Sequence, residues 1–291
     1  MRVLVLGASG LLGNTVFRVL SRDSALNVFG SIRDARVRGL FPREIRDRLI
    51  TTTDLREPGT LRQILAEARP NAVINCLSAP RADLRGGDTM KVVSVLSVLP
   101  QRLSVACAEV GARLVHISSD GVFSGSVGGY GESDMPDADD LYGVAKLLGE
   151  VRDRHAISIR TSMIGHEISE GAGLLEWFLG QQGSCTAYRR VVFSGLPTTE
   201  LARVIHDAIL PNLDLYGVYH VASAPISKYD LLRLVADVYG KRIELVPDDT
   251  VVIDRSLNAS RFGQATGYEA ADWPSLVHAM HADRPLTRHT A

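Results

Sequence analysis

The sequence predicts an α/β fold built on a doubly wound parallel sheet, with a smaller mixed α/β lobe after it. Three observations predict it. Short apolar runs alternate with helical periodicity through the first half of the chain. Those runs are apolar throughout, as strands buried on both faces must be. Glycines crowd directly behind the first run, where such a sheet turns into its first helix.

Residues 3–6 form the first strand, and a helix over 11–20 follows. Residues 26–32 read as the second strand and 49–53 as a weaker third. Pro58 opens a helix over 58–68, where its missing N–H costs nothing. A fourth strand spans 72–75. A long helix spans 90–110, and Pro100 is expected to kink it. The fifth strand at 114–118, a helix over 141–154 and the sixth strand at 157–160 complete the series. Open parallel sheets bind ligands beyond the carboxyl ends of their strands. The loops after Leu6, Ile32, Asn75, Ser118 and Arg160 should therefore line one crevice. Residues 1–165 read as the nucleotide-binding domain and 166–291 as the lobe, interleaved with it. The lobe carries helices over 174–179, 200–210 and 228–239 and strands at 218–221 and 243–246; from about Arg284 the chain is polar and expected to fray.

Charge excludes some partners. The 32 basic and 33 acidic residues nearly cancel, leaving a formal charge of -1. No net positive field draws nucleic acid or anionic lipid. Cys76, Cys107 and Cys185 show neither a CxxC pair nor zinc-ligand spacing, and read as buried thiols in a reducing compartment. The opening apolar run is too short for a signal peptide, and no unbroken apolar stretch of about 18 residues follows. A cytoplasmic chain without membrane or nucleic-acid partners is expected. No metal site is expected either, since the acidic loop 132–140 lacks EF-hand spacing and suits the start of the next helix.

Gly7-Ala8-Ser9-Gly10-Leu11-Leu12-Gly13 lies between the first strand and the first helix. Gly7 permits the sharp turn, Gly10 lets the backbone approach a pyrophosphate, and Gly13 lets helix and strand pack closely. The helix start brings the unpaired N–H groups of Leu11 and Leu12, with Ser9 in the turn before them. This strand–turn–helix context predicts a dinucleotide site of the Rossmann type. Ser31 stands where an NAD site carries an acidic residue, and Arg33 follows, suited to a 2′-phosphate. That favours NADP(H), while Asp34 keeps NAD(H) open. Asp54, with Leu55 beside it, is placed to meet the adenine amino group.

Tyr142 and Lys146 stand four residues apart on a predicted helix and share a face. A lysine ammonium and an oxidised nicotinamide would lower the phenol's titration point and let it donate a proton to a carbonyl oxygen. Ser119, just past the fifth strand, adds a hydroxyl for the same carbonyl, and Asp120 and Gly121 follow it toward the substrate.

These segments together resemble the extended short-chain dehydrogenase/reductase family. The nearest likeness is to its nucleotide-sugar reductase branch, typified by dTDP-4-dehydrorhamnose reductases. The resemblance is carried by 3–13, His116-Ile117-Ser118-Ser119-Asp120-Gly121-Val122-Phe123-Ser124-Gly125, 129–134, 141–150, Arg160-Thr161-Ser162, 195–199 and 217–221. It implies a Rossmann domain, a lobe gripping a nucleotide-sugar, and NAD(P)H reduction of a 4-keto-6-deoxy sugar for cell-surface polysaccharide precursors. It implies Ser119, Tyr142 and Lys146 as the catalytic set. Gly7, Gly10, Gly13 and Arg33 are implied as cofactor contacts, with backbone and side chain of Asn75 facing the cofactor. Ser162 and Met163 lie where relatives contact nicotinamide or substrate. Arg255 offers a cation to the substrate diphosphate, as do Arg189 and Arg190. Helix-mediated homodimers are common among such relatives.

The chain departs from the family at three places. Serine replaces threonine at Ser119, Gly121 replaces a tyrosine or cysteine and so suggests a larger pocket, and Leu96 stands near a family asparagine within an atypical segment, 79–97. Some relatives are NADP-binding regulatory chains of methionine adenosyltransferase, so a non-catalytic subunit is the alternative reading. An epimerase would retain NAD, against which Arg33 argues.

Overall fold

Every residue of the first strand, β1 (Arg2–Leu6), is apolar after Arg2 because both faces of the strand are covered. Val3 and Val5 enter one cluster with Val16 and Phe17, while Leu4 and Leu6 enter another with Leu61 and Leu103. The computed structural model describes residues 1–79, 81–84, 86–168 and 173–284. The frayed end expected from about Arg284 thus lies, beyond that residue, outside the described residues.

β2 (Asn27–Ile32), β3 (Leu49–Thr51), β4 (Ala72–Asn75), β5 (Arg113–Ile117), β6 (Ala156–Arg160) and a last strand, Gly217–His220, join β1 in a seven-stranded sheet. The order runs from Gly217–His220 through β6, β5, β4, β1 and β2 to β3, and every pairing is parallel. Parallel neighbours need crossovers. α1 (Leu11–Leu20) supplies one and packs in the Phe17 cluster, while α2 (Pro58–Ala68) supplies another and packs in the Leu61 cluster. The two helices therefore cover opposite faces. The chain winds outward from β1 to β3 and then restarts on the other side of β1 with β4. The crevice opens at that reversal, where Leu6 pairs with Asn75.

The Gly217–His220 strand comes from beyond residue 165, so both parts of the chain build the central sheet. Its free edge is blunted by side chains: the His220 amide donates to Glu132 Oε1 at 2.9 Å, and Arg261 Nη1 donates to the Val218 carbonyl at 3.1 Å. Among the described residues, three small sheets lie outside the central one, including the pair Glu244–Asp248 with Ser184–Tyr188. The strand Ser184–Tyr188 and the helix Trp273–Ala282 have no counterpart in the sequence expectations. Trp273 anchors the latter, buried, with its indole N–H donating to the Ala224 carbonyl at 2.7 Å.

Two helices differ from expectation for identifiable reasons. The run Thr89–Glu109 is continuous, and a π-helical turn at Ser94–Val98 leads into Pro100. By length and mean hydropathy this run qualifies as a membrane span, although Lys91, Gln101 and Arg102 interrupt its apolar residues; half of its most apolar window is buried inside the fold. The helix expected over 141–154 stops at Leu148. Gly149 lies against the Leu96 carbonyl, and a Cβ there would stand 1.9 Å from that oxygen. Leu96, the residue near the family asparagine, is thus a buried packing surface for the end of this helix.

Candidate active site

The chain leaves β1 through Gly7, whose φ of 78° suits glycine. A Cβ on Gly13 would lie 2.1 Å from the Gly7 carbonyl oxygen, so the loop and α1 touch at backbone distance. Gly10 heads α1 without a side-chain cap, and no acidic residue occupies the first turn. A Cβ on Gly10 would meet nothing within 4 Å but the Gly7 oxygen. The approach to the helix N-terminus is therefore open. The Leu12 side chain is buried, so Leu12 brings backbone alone to the crevice, beside Leu11 and Ser9. An open helix N-terminus of this kind fits a pyrophosphate.

Other predicted cofactor contacts take different places. Ser31 is buried, and its hydroxyl accepts from the Gly7 amide at 3.0 Å. It braces the glycine loop. Arg33 is exposed just past the tip of β2. The Asp54 carboxylate, placed by sequence at the adenine, is gripped by the Arg56 guanidinium and accepts the Arg56 amide at 2.9 Å. These bonds hold it below the usual carboxylate range. Leu55 is buried in the Leu61 cluster. Asn75 spends its amide inside the protein, donating to His116 Nδ1 at 3.1 Å and accepting from the Leu77 amide at 3.2 Å. The Asn75 side chain thus braces β4 against β5. That bond leaves the His116 ring proton on Nε2, and burial, with Lys146 near, keeps the imidazole neutral.

Ser119, Tyr142 and Lys146 come together at the carboxyl end of β5. Ser119 caps a single 3-10 turn, Asp120–Val122. Asp140 caps helix Leu141–Leu148 by accepting the Gly143 amide at 2.8 Å, which sets the two functional side chains on their shared face. Lys146 is 4% exposed and donates to the Ile117 carbonyl at 2.9 Å. Burial pushes its ammonium down to about 8, with Cys76 and Glu150 opposing. Burial also raises the Tyr142 phenol, with Asp120 and Asp140 adding to the rise and Ser119 and Arg255 opposing it. Within the chain itself, burial and the two carboxylates outweigh the charge of Arg255, while Lys146 faces Ile117. A phenol that keeps its proton is equipped to give it away.

Gly121 does not enlarge the pocket. A Cβ on it would lie 3.0 Å from Tyr142 Cε1 and 3.1 Å from Ser119 Oγ. The space its side chain would use already holds the Tyr142 ring and the Ser119 hydroxyl.

Sequence reasoning missed two features, Lys228 beside the predicted residues Asp120 and Arg255, and a buried fork. Burial raises the Asp120 carboxyl, while the Ser119 hydroxyl, bonded to it at 3.2 Å, and the charges of Lys228 and Arg255 oppose the rise. Arg255 Nη2 lies 3.6 Å from Asp140, the cap of the Tyr142 helix, whereas Arg189 pairs with Asp249 on the exposed surface. Lys228 begins the helix Lys228–Tyr239, a poor place for a cation beside the helix dipole. That misfit was a readable signal. The second group is a buried fork. Arg160 Nε and Nη2 donate to Glu150 Oε1 and Oε2 at 2.6 and 2.9 Å, and Ser118 donates to Oε1 at 3.0 Å. It locks the end of helix Leu141–Leu148 to the strand ends beneath Ser119. An arginine inside an apolar strand was its signal.

Residues 1–255 match the family model of the RmlD substrate binding domain. The chain belongs to that family. It is 28% identical over 257 residues to the methionine adenosyltransferase 2 subunit beta of Danio rerio, covering 82% of this chain and 74% of that one. It is 37% identical over 118 residues to the dTDP-4-dehydrorhamnose reductase of Mycobacterium tuberculosis, covering 37% and 38%. The fold matches the crystal structure of a hypothetical dTDP-4-dehydrorhamnose reductase from Sulfolobus tokodaii with a TM-score of 0.75, at 25% identity, over 94% of this chain and 98% of that one. It also matches the Bacillus anthracis dTDP-4-dehydrorhamnose reductase in complex with NADP, with a TM-score of 0.78, at 20% identity, over 97% and 99%.

Proposed function

We propose that this protein reduces the C4 keto group of a nucleotide-linked 4-keto-6-deoxy sugar with NADPH. The sugar is dTDP-4-dehydrorhamnose or a UDP-linked acetamido analogue. The observation that carries this reading is the convergence of Ser119, Tyr142 and Lys146 at the carboxyl end of β5, in a sheet whose first turn presents an open helix N-terminus. When bound, NADPH supplies the hydride. The Gly10 turn and the N–H groups of Leu11 and Leu12 hold its pyrophosphate, and Arg33 holds the 2′-phosphate. Tyr142 gives the proton of its hydroxyl to the carbonyl oxygen, Ser119 polarises that oxygen, and Lys146 holds the nicotinamide ribose. Arg255 meets the substrate near Tyr142.

The second reading, an NADP-binding regulatory subunit without turnover, is favoured by the likeness to methionine adenosyltransferase subunits over 82% of this chain. NADPH oxidation by the purified protein separates the two, across a panel of dTDP- and UDP-linked 4-keto-6-deoxy sugars with Tyr142→Phe as control. Turnover lost in the variant supports the reductase. Cofactor binding with every sugar inert supports the subunit, and a search for its protein partner follows.

A further inference from the structure

The free edge of the central sheet carries a cleft that neither reading of the active site uses. Glu132, Arg152, Tyr216, Tyr219 and Arg261 line it, around a cavity of about 420 Å³ beside the Gly217–His220 strand. None of the residues assigned above to cofactor or substrate lines it.

The charge of the cleft is uneven. The Arg152 side chain is 70% exposed, and its carboxylate neighbour is Glu150 Oε2 at 3.8 Å. That oxygen already accepts from Arg160 at 2.9 Å, so Arg152 keeps its hydrogen-bonding capacity for something else. Arg261 spends Nη1 on the Val218 carbonyl, one of the five N–H donors of a guanidinium. The carboxylate in the cleft, Glu132, spends Oε1 on the His220 amide. Two cations thus face one partly occupied carboxylate, and an anionic ligand would complete the set.

The cleft is also built in advance. Arg261 is fixed twice, by its bond to Val218 and by its Cζ lying 4.4 Å over the ring of buried Tyr219. A donor already held still loses little freedom on binding. Tyr216 stands exposed at the rim, with Arg154 Cζ 5.3 Å over its ring. A flat aromatic wall therefore lies beside the cations. The cavity falls within the roughly 300–1,000 Å³ of small-molecule sites, more than a bare phosphate fills.

We propose that this cleft binds a phosphate monoester carrying a flat ring, its phosphate held by Arg152 and Arg261 and its ring against Tyr216. The proposal stands under either reading of the active site, since both leave the cleft free.

The test is isothermal titration of the NADPH-saturated protein, in which the cofactor's own phosphate contacts are filled. Phenyl phosphate and inorganic phosphate are the probes, and wild type is compared with Arg152→Gln, Arg261→Gln, Tyr216→Ala and Arg255→Gln. Wild type is expected to bind phenyl phosphate more tightly than inorganic phosphate. Arg152→Gln weakens the binding about tenfold, the size of one charge-assisted hydrogen bond. Its urea midpoint stays that of wild type, because the side chain is exposed. Tyr216→Ala removes the preference for the aromatic ester. Affinity rises between about pH 5 and 7, as the phosphate takes its second charge near pH 6. Arg255→Gln leaves the binding unchanged. The proposal falls if phenyl phosphate gives no heat of binding, or is not preferred to inorganic phosphate. It falls if Arg152→Gln and Arg261→Gln both bind the ester as wild type does, or if Tyr216→Ala keeps the preference. Binding abolished by Arg255→Gln overturns it as well, since the ester then sits beside Tyr142.

Discussion

Replacing Lys146 by methionine exchanges a buried cation for an apolar chain of similar length, and its effect on stability follows from the structure. The ammonium is brought from 10.5 to about 8 in the fold. At about 1.36 kcal/mol per unit, holding the charge there costs the native state on the order of 3 kcal/mol. Losing the bond to the Ile117 carbonyl gives back about 1 kcal/mol. Lys146→Met is therefore expected to be about 2 kcal/mol more stable than wild type at neutral pH while losing turnover. The sign with pH follows from linkage. The folded pKa lies below the unfolded one, so between about 8 and 10.5 the unfolded chain holds a proton that the native state has released. Wild-type stability therefore rises with pH through that window, and the penalty is fully present below it. The methionine variant lacks this rise, so its advantage shrinks by about 1 kcal/mol between pH 8 and pH 9. Urea unfolding of both proteins across these values, read as a difference, cancels the other titrating groups. An advantage that stays constant with pH would refute the reasoning, since it would mean that Lys146 titrates normally in the fold.

Gly13→Ala forces a Cβ to within 2.1 Å of the Gly7 oxygen, so α1 must move off the loop; a loss of about 1–3 kcal/mol in urea and weakened NADPH binding are expected, and an unchanged dissociation constant would contradict the packing described. Glu150→Gln breaks the fork with Arg160 and strands a buried guanidinium, costing about 3–5 kcal/mol by denaturation; a loss below about 1 kcal/mol would show the pair to be dispensable. Arg33→Ala is expected to raise KM for NADPH about tenfold and leave that for NADH nearly unchanged; an equal effect on both cofactors would remove Arg33 from the 2′-phosphate.

The alternation of apolar runs and helical periodicity was enough to place the first six strands within a residue or two, because strands buried on both faces admit only apolar side chains. The same local logic located the glycine turn and the Tyr142–Lys146 pair, whose spacing on one helix face follows from helix geometry alone. Local pattern was weaker in the lobe. Ser184–Tyr188 is a short strand in a two-stranded sheet, with alternate residues exposed, and its partner is distant in sequence.

What the sequence by itself determined was the sheet, the glycine loop and the placing of Tyr142 and Lys146 on one helix face. What only the tertiary structure decided was how each polar group is spent. Ser31, Asp54 and Asn75 each sit near the cofactor crevice, yet their hydrogen bonds go to Gly7, Arg56 and His116. Lys241, in the lobe, spends its ammonium on the Leu179 and Gln181 carbonyls about sixty residues away. Buried polar groups take whichever partner the packed chain brings within reach, and that choice is made by contacts far apart in sequence.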